Sequence, residues 1–188
     1  MLTRGPSVNG LPMTSRSRRQ LSPIPDEQQF ESEVKRIFVD TSVLVGADNA
    51  ADPQRRQQVR DWLAYLWQAR SGRLSTQVLN DYYVCVTQRI QPALPQGDAR
   101  AKLRRYQQWQ PWVIDHQTVE SAWGLEHRLQ IDYHQALMLA SAMHSGCAAV
   151  LSDVLPLERY DSLEVINPFV TAPPSSSIFS SSSSSPSP

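Results

Sequence analysis

The run Arg36-Ile37-Phe38-Val39 is strand-sized, apolar and β-prone, and it stops at an aspartate, Asp40. A run this short and this apolar reads as a strand buried on both faces, which only a sheet covered by other elements can provide. The downstream sequence fits that demand. Asp52-Pro53 opens a helix with proline at its first position; Val59, Trp62, Leu63 and Leu66 mark its buried face, and Gly72 ends it. A second helix begins at Ser75-Thr76, with Val78, Leu79, Tyr82, Cys85 and Val86 at helical spacing. Pro92 and Pro95 interrupt the chain, and Asp98 begins a third helix that reaches about Trp109. Trp112-Val113-Ile114 reads as a strand. Thr118 starts a helix to Leu129, Asp132 starts another that Gly146 stops, and two strands follow at Ala149–Ser152 and Leu163–Ile166. Short strands alternating with amphipathic helices predict an α/β domain of three layers, a parallel sheet flanked by helices on both faces. In such sheets the functional crevice lies beyond the carboxyl ends of the strands, which is where Asp40 falls.

This pattern occupies residues 34–170, enough for one core. Residues 1–33 are rich in Ser, Pro, Arg and Gln, with Arg16, Arg18 and Arg19 clustered. They lack the apolar surface to offset the entropy of ordering, so they read as a disordered extension or an over-extended reading frame with Met13 as a second start. A transit peptide is the other reading of such an acid-poor segment. Residues 171–188 are Pro and then almost pure Ser, a low-complexity tail. Lys plus Arg equals Asp plus Glu at 18 each, so net charge gives no pointer to nucleic acid. Cys85 and Cys147 have no second Cys or His at metal-ligand spacing and read as small buried thiols in a reducing cytosol. No apolar run approaches the roughly 20 residues of a membrane span, and no signal-peptide core is present. The expectation is a cytoplasmic protein without a membrane partner.

An aspartate directly after a buried strand needs compensation, and usually either caps a helix or holds a cation. For Asp40 alone the two readings are even. Its surroundings, Phe38-Val39-Asp40-Thr41-Ser42-Val43-Leu44, resemble the opening motif of PIN-domain ribonucleases of the VapC toxin type. There the aspartate is a metal ligand and the following Thr41-Ser42 would support it. Leu74 to Val84 resembles the family's second motif, with Asp81 where a glutamate normally stands. Gly146 to Ser152 and Leu163 to Phe169 resemble its last strands. The likeness spans nearly all of residues 35–169, in order.

The resemblance implies RNA phosphodiester hydrolysis with Mg2+ or Mn2+ held by carboxylates. Such an ion takes hard oxygen ligands, lowers the pKa of a bound water and stabilises charge on the phosphate. It also implies a homodimer and a small antitoxin partner. Position by position, Asp40 is intact and Asp81 is one methylene shorter than the family's glutamate. Gln135, in Asp132-Tyr133-His134-Gln135-Ala136, stands where a third acid is expected, and Val154 where a fourth is. Asp132 and Asp153 are the substitutes at hand. Asp132 reads better as half of a D-x-x-Q capping pair with Gln135, and Asp153 reads equally as ligand or as a solvated loop acid. With carboxylates missing, each worth on the order of 10²–10⁴ in rate, the expectation is a nuclease weakened or lost, with Asp40, Asp81 and Asp153 as its remaining ligands. The alternative is an inactive binding module for antitoxin or RNA.

Arg100, Lys102, Arg104 and Arg105 form a basic stretch that reads as an RNA contact or, more commonly, a solvated helix face. His134 stands where the family often has Trp. Trp62, Trp67, Trp109, Trp112, Trp123, Tyr82 and Tyr83 read as packing residues. No G-x-x-x-x-G-K loop occurs. A receiver-like domain with Asp40 as phosphoacceptor would need a lysine on a later strand, and Lys35 and Lys102 are the only lysines.

Overall fold

The computed structural model describes residues 35–174. The expectations for residues 1–33 and for most of 171–188 lie outside the described residues. In chain order the elements are β1 (Ile37–Val39), α1 (Thr41–Gly46), α2 (Pro53–Gln68), β2 (Gly72–Arg73), α3 (Thr76–Val84), α4 (Gln96–Tyr106), α5 (His116–Leu129), α6 (Tyr133–His144), β3 (Ala149–Leu151), β4 (Arg159–Tyr160) and β5 (Leu163–Ile166). The sheet order is β2-β1-β3-β5-β4. β1 pairs parallel with β2 and β3, and β3 parallel with β5, in a register that aligns Val39 with Leu151 and Leu151 with Ile166.

Every residue of β1 and β3 is buried. Successive strand side chains point to opposite faces, so complete burial means both faces are covered. The expected helix-flanked parallel sheet is present, with one addition. β4 runs antiparallel to β5 at the edge, joined by a tight turn in which Asp161 takes a left-handed backbone (φ 52°).

The helix starts follow their capping residues. Asp52 accepts from the Arg55 amide, Ser75 from Val78, Asp115 from Thr118 and Asp132 from His134. Two starts fall earlier than the sequence indicates: α4 at Gln96 behind Pro95, and α5 at His116 behind Asp115. α6 ends as expected, with Gly146 at φ +67° and the Cys147 amide returning to the Ala142 carbonyl.

Three expectations need correction. α2 ends at Gln68, and Arg70 supplies the left-handed residue, whereas Gly72 begins β2. A Cβ at Gly72 would lie 2.6 Å from the Trp109 ring, so this glycine permits a close approach of backbone and indole instead of terminating a helix. Trp112-Val113-Ile114 is not a strand. It makes a single parallel bridge, at Ser75–Trp112, because Pro111 lacks an N–H and Val113 is 69% exposed. Third, Cys85 is only partly buried and opens a π-helical turn, Cys85–Arg89, that extends α3; Cys147 is buried, and both thiols are free.

The core joins Phe38, Val39, Leu44, Leu66, Leu74, Leu139, Val150, Leu151 and Leu163 across the sheet and its helices. Beside it Trp67 lies 4.6 Å from Trp109, and Tyr106 packs on both Trp109 and Tyr82. Trp123 is the exception among the expected packing residues, at 53% exposure. No helix among the described residues is long and apolar enough to cross a membrane.

Candidate functional site

Because β1, β3 and β5 are parallel and in register, the residues that follow them emerge on one edge of the sheet. Asp40 follows β1 and Ser152 follows β3. α6 leads back into β3, so its first turn lies toward that same edge.

Asp40 is 7% exposed. It occupies the N-cap position of α1 but makes no well-directed bond to a backbone amide of that helix, so capping does not account for it. Its side-chain partners are two serines. Ser152 Oγ donates to Oδ2 at 2.6 Å, and Ser42 Oγ donates to the same oxygen at 3.2 Å. Burial pushes the carboxyl above the ordinary aspartate range, and these hydroxyls, with the nearby Thr41 and Ser42 amides, pull part of the way back. Thr41 contributes backbone alone; Ser42 contributes its hydroxyl.

Asp81 lies on α3, where His134 Nε2 approaches its Oδ2 to 2.7 Å. The contact is at ion-pair distance but does not count as a well-directed hydrogen bond. Gln77, one turn earlier on α3, donates to the His134 carbonyl at 3.3 Å and fastens the two helices together.

Asp153 is held elsewhere. Arg55, from the first turn of α2, donates to its Oδ2 at 2.7 Å and lays its guanidinium over the Phe169 ring, 3.8 Å from the centre. Asp153 Oδ1 is buried without a hydrogen-bond partner among the described residues. Asp132 acts as the cap of α6, its Oδ1 accepting from the His134 amide at 2.8 Å. Half of the expected capping pair is therefore present; Gln135 returns no side-chain bond among the described residues. Val154 is exposed, and its amide donates to Ser152 Oγ.

A divalent ion shared by several carboxylates needs their oxygens within about 4–5 Å of one another, given ligand distances near 2.1 Å for Mg2+. Among the described residues no three of His, Cys, Asp and Glu converge closely enough to hold an ion. Asp40 faces two hydroxyls, Asp81 an imidazole and Asp153 a guanidinium. As arranged, these acids do not fit a preformed metal centre. Asp153 Oδ1, buried without a hydrogen bond among the described residues, is where a cation would gain most.

No family model matches the sequence, and no curated protein matches it significantly. Among solved structures the chain is similar to that of Mycobacterium tuberculosis VapC20, described as a sarcin-ricin loop cleaving toxin. The likeness has 22% identity and a TM-score of 0.49, over 61% of this chain and 86% of that one.

Ser152, His134 and Arg55 complete the environment of the acids. Ser152 ends the strand motif and was visible as such. His134 stood out only as a departure from the family's Trp. Arg55 gave no local signal, since its partner is 98 residues away.

Proposed function

We propose that this chain is a PIN-like protein descended from Mg2+-dependent endoribonuclease toxins, in which RNA phosphodiester hydrolysis is weakened or lost. The ordered likeness of residues 35–169 to that family supports the descent, and Gln135 and Val154 at two acidic positions support the loss. The observation that carries the reading is the fate of the remaining acids. Arg55 holds Asp153, His134 sits against Asp81, and no third acid joins Asp40 among the described residues. Asp40, with Ser42 and Ser152 on its carboxylate, is the retained ligand position, and Asp81 the second. RNA, a small antitoxin and a second copy of the chain are the partners this descent implies.

The geometry equally favours a binding module that keeps the fold without turnover, because carboxylates that are separately paired serve structure as well as chemistry. Purified protein incubated with RNA in Mg2+, in Mn2+ and in EDTA, beside Asp40→Ala, separates the two. Metal-dependent cleavage abolished by the substitution establishes the enzyme; equal background in all arms establishes the module. Restoring the acids together, by Gln135→Asp, Val154→Asp and Asp81→Glu, should raise cleavage. No gain from a folded triple variant would refute the erosion account.

A further inference from the structure

The basic stretch of α4 does not behave as one surface. Lys102 and Arg105, one turn apart and so on a common face, line a cavity of about 230 Å³ between α4 and α2, together with Arg60. Asp48 also lines it, and Trp67 and Tyr106 contribute aromatic wall. None of Asp40, Asp81 and Asp153 takes part in it. Arg100 and Arg104 also lie one turn apart, on another face. Among the described residues Arg100 bonds only to Gln96, its own neighbour on the helix, and Arg104 is exposed. A solvated helix face describes those two and leaves the others unexplained.

We propose that this cavity binds a phosphate group, carried by the backbone of single-stranded RNA or by a free mononucleotide. The charges at its wall are already sorted for that task. Lys102 Nζ donates to Asp48 Oδ1 at 2.5 Å, while Tyr82 Oη donates to Asp48 Oδ2 at 2.6 Å, so the one carboxylate in the cavity is answered from within the protein. The two arginines are the excess. Arg60 is fixed through Nε, which donates to the Ala47 carbonyl at 3.2 Å; its terminal nitrogens have no hydrogen bond among the described residues. Arg105 lies over Trp67, with Cζ 4.9 Å from the ring centre, and its N–H donors have no hydrogen bond among the described residues. Two oriented forks arriving from different helices suit the tetrahedral oxygens of a phosphate. The volume is below the roughly 300–1,000 Å³ of sites for drug-sized ligands, which matches one phosphate with its sugar against the Trp67–Tyr106 wall. The RNA source rests on the proposed descent from a ribonuclease; the mononucleotide source does not.

The test compares two double variants of the full chain that remove the same charge, Arg60→Ala/Arg105→Ala and Arg100→Ala/Arg104→Ala, all four arginines being exposed. Binding of a short labelled single-stranded RNA is followed by anisotropy in EDTA, and binding of AMP and of inorganic phosphate by calorimetry, with thermal unfolding as the check on folding. The cavity variant should weaken binding about tenfold or more, from lost charged hydrogen bonds. It should also lower the salt dependence of RNA binding by about one ion released. The helix-face variant should stay within about twofold. Loss with RNA alone assigns the phosphate to a polymer, and loss with AMP as well assigns it to nucleotides generally. AMP binding without RNA binding leaves the cavity standing and removes the RNA reading. Equal weakening by the two variants, or no binding of any probe by the unaltered protein, overturns the proposal.

Discussion

The bond between Ser152 and Asp40 offers a direct measurement of what the buried carboxylate demands of its surroundings. Ser152 Oγ donates at 2.6 Å to an oxygen whose other hydrogen bond among the described residues is the longer one from Ser42, and both Ser152 and Asp40 are buried. A hydrogen bond to an ionised group contributes about 1.5–3 kcal/mol and a neutral one about 0.5–1.5 kcal/mol. Ser152→Ala, measured above the carboxyl's folded pKa, should therefore destabilise the fold by about 2 kcal/mol. The second bond lost, from the Val154 amide, adds little, since that exposed loop can turn to water. For a domain of this size 1 kcal/mol corresponds to roughly 3–4 °C, so the melting temperature should fall by about 6–8 °C. In an Asp40→Asn background the acceptor is neutral, and the same serine substitution should cost about 1 kcal/mol less. Urea titrations of the four proteins supply the cycle, with unchanged m-values confirming that only stability moves. Additivity within about 0.3 kcal/mol would show that the serine does not serve the charge, and the account of Asp40 would be wrong.

Three further outcomes follow from the geometry. Burial raises the Asp40 pKa in the folded state above its unfolded value of 3.8, so its contribution to stability is full below that value and is lost as pH rises through the folded pKa. Asp40→Asn should thus gain stability relative to the unaltered protein as pH rises from 4 through the folded pKa, by urea midpoints; a gap that moves the other way refutes the burial argument. Gly72→Ala should lower stability by about 1–3 kcal/mol, because the new Cβ meets the Trp109 ring at 2.6 Å and that indole is packed by Trp67 and Tyr106; an unchanged melting temperature would show that the ring shifts freely. Tyr82→Phe removes one of the two donors to Asp48 and should cost about 1–2 kcal/mol. Burial, reinforced by Asp48, holds that phenol un-ionised well above its ordinary range, so the loss should be the same at pH 6 and pH 9.

Strong local patterns made much of the fold legible. β1 and β3 follow from apolar runs buried on both faces, β5 from the β-prone run Leu163–Ile166, and α2, α3 and α6 from Asp-Pro, Ser-Thr and Asp caps. β2 and β4 were not legible: each has two residues, too few for a period, and each exists because a neighbour already offers a free edge. Trp112-Val113-Ile114 has the composition of a strand, but a composition cannot report that Pro111 and an exposed Val113 limit it to one bridge. At the site, Asp40 was readable because it ends a strand, and Asp132 because it opens a helix. The pairing of Asp153 with Arg55, and of Asp48 with Tyr82 and Lys102, joins residues 98, 34 and 54 positions apart. Separations of that kind are set by packing and leave no mark in a single sequence.

The indole of Trp62, buried in the middle of α2, donates through Nε1 to the carbonyl of Thr171 at 2.8 Å. That one bond makes the stretch after the last strand a latch across the helix that also carries Arg55 and Arg60. Severing the chain at Val170 would strand a buried donor, at about 1–3 kcal/mol, and loosen the helix from which both guanidinium groups reach their targets. Anyone trimming this protein should leave Thr171 in place, because the Trp62 indole bonds to its carbonyl.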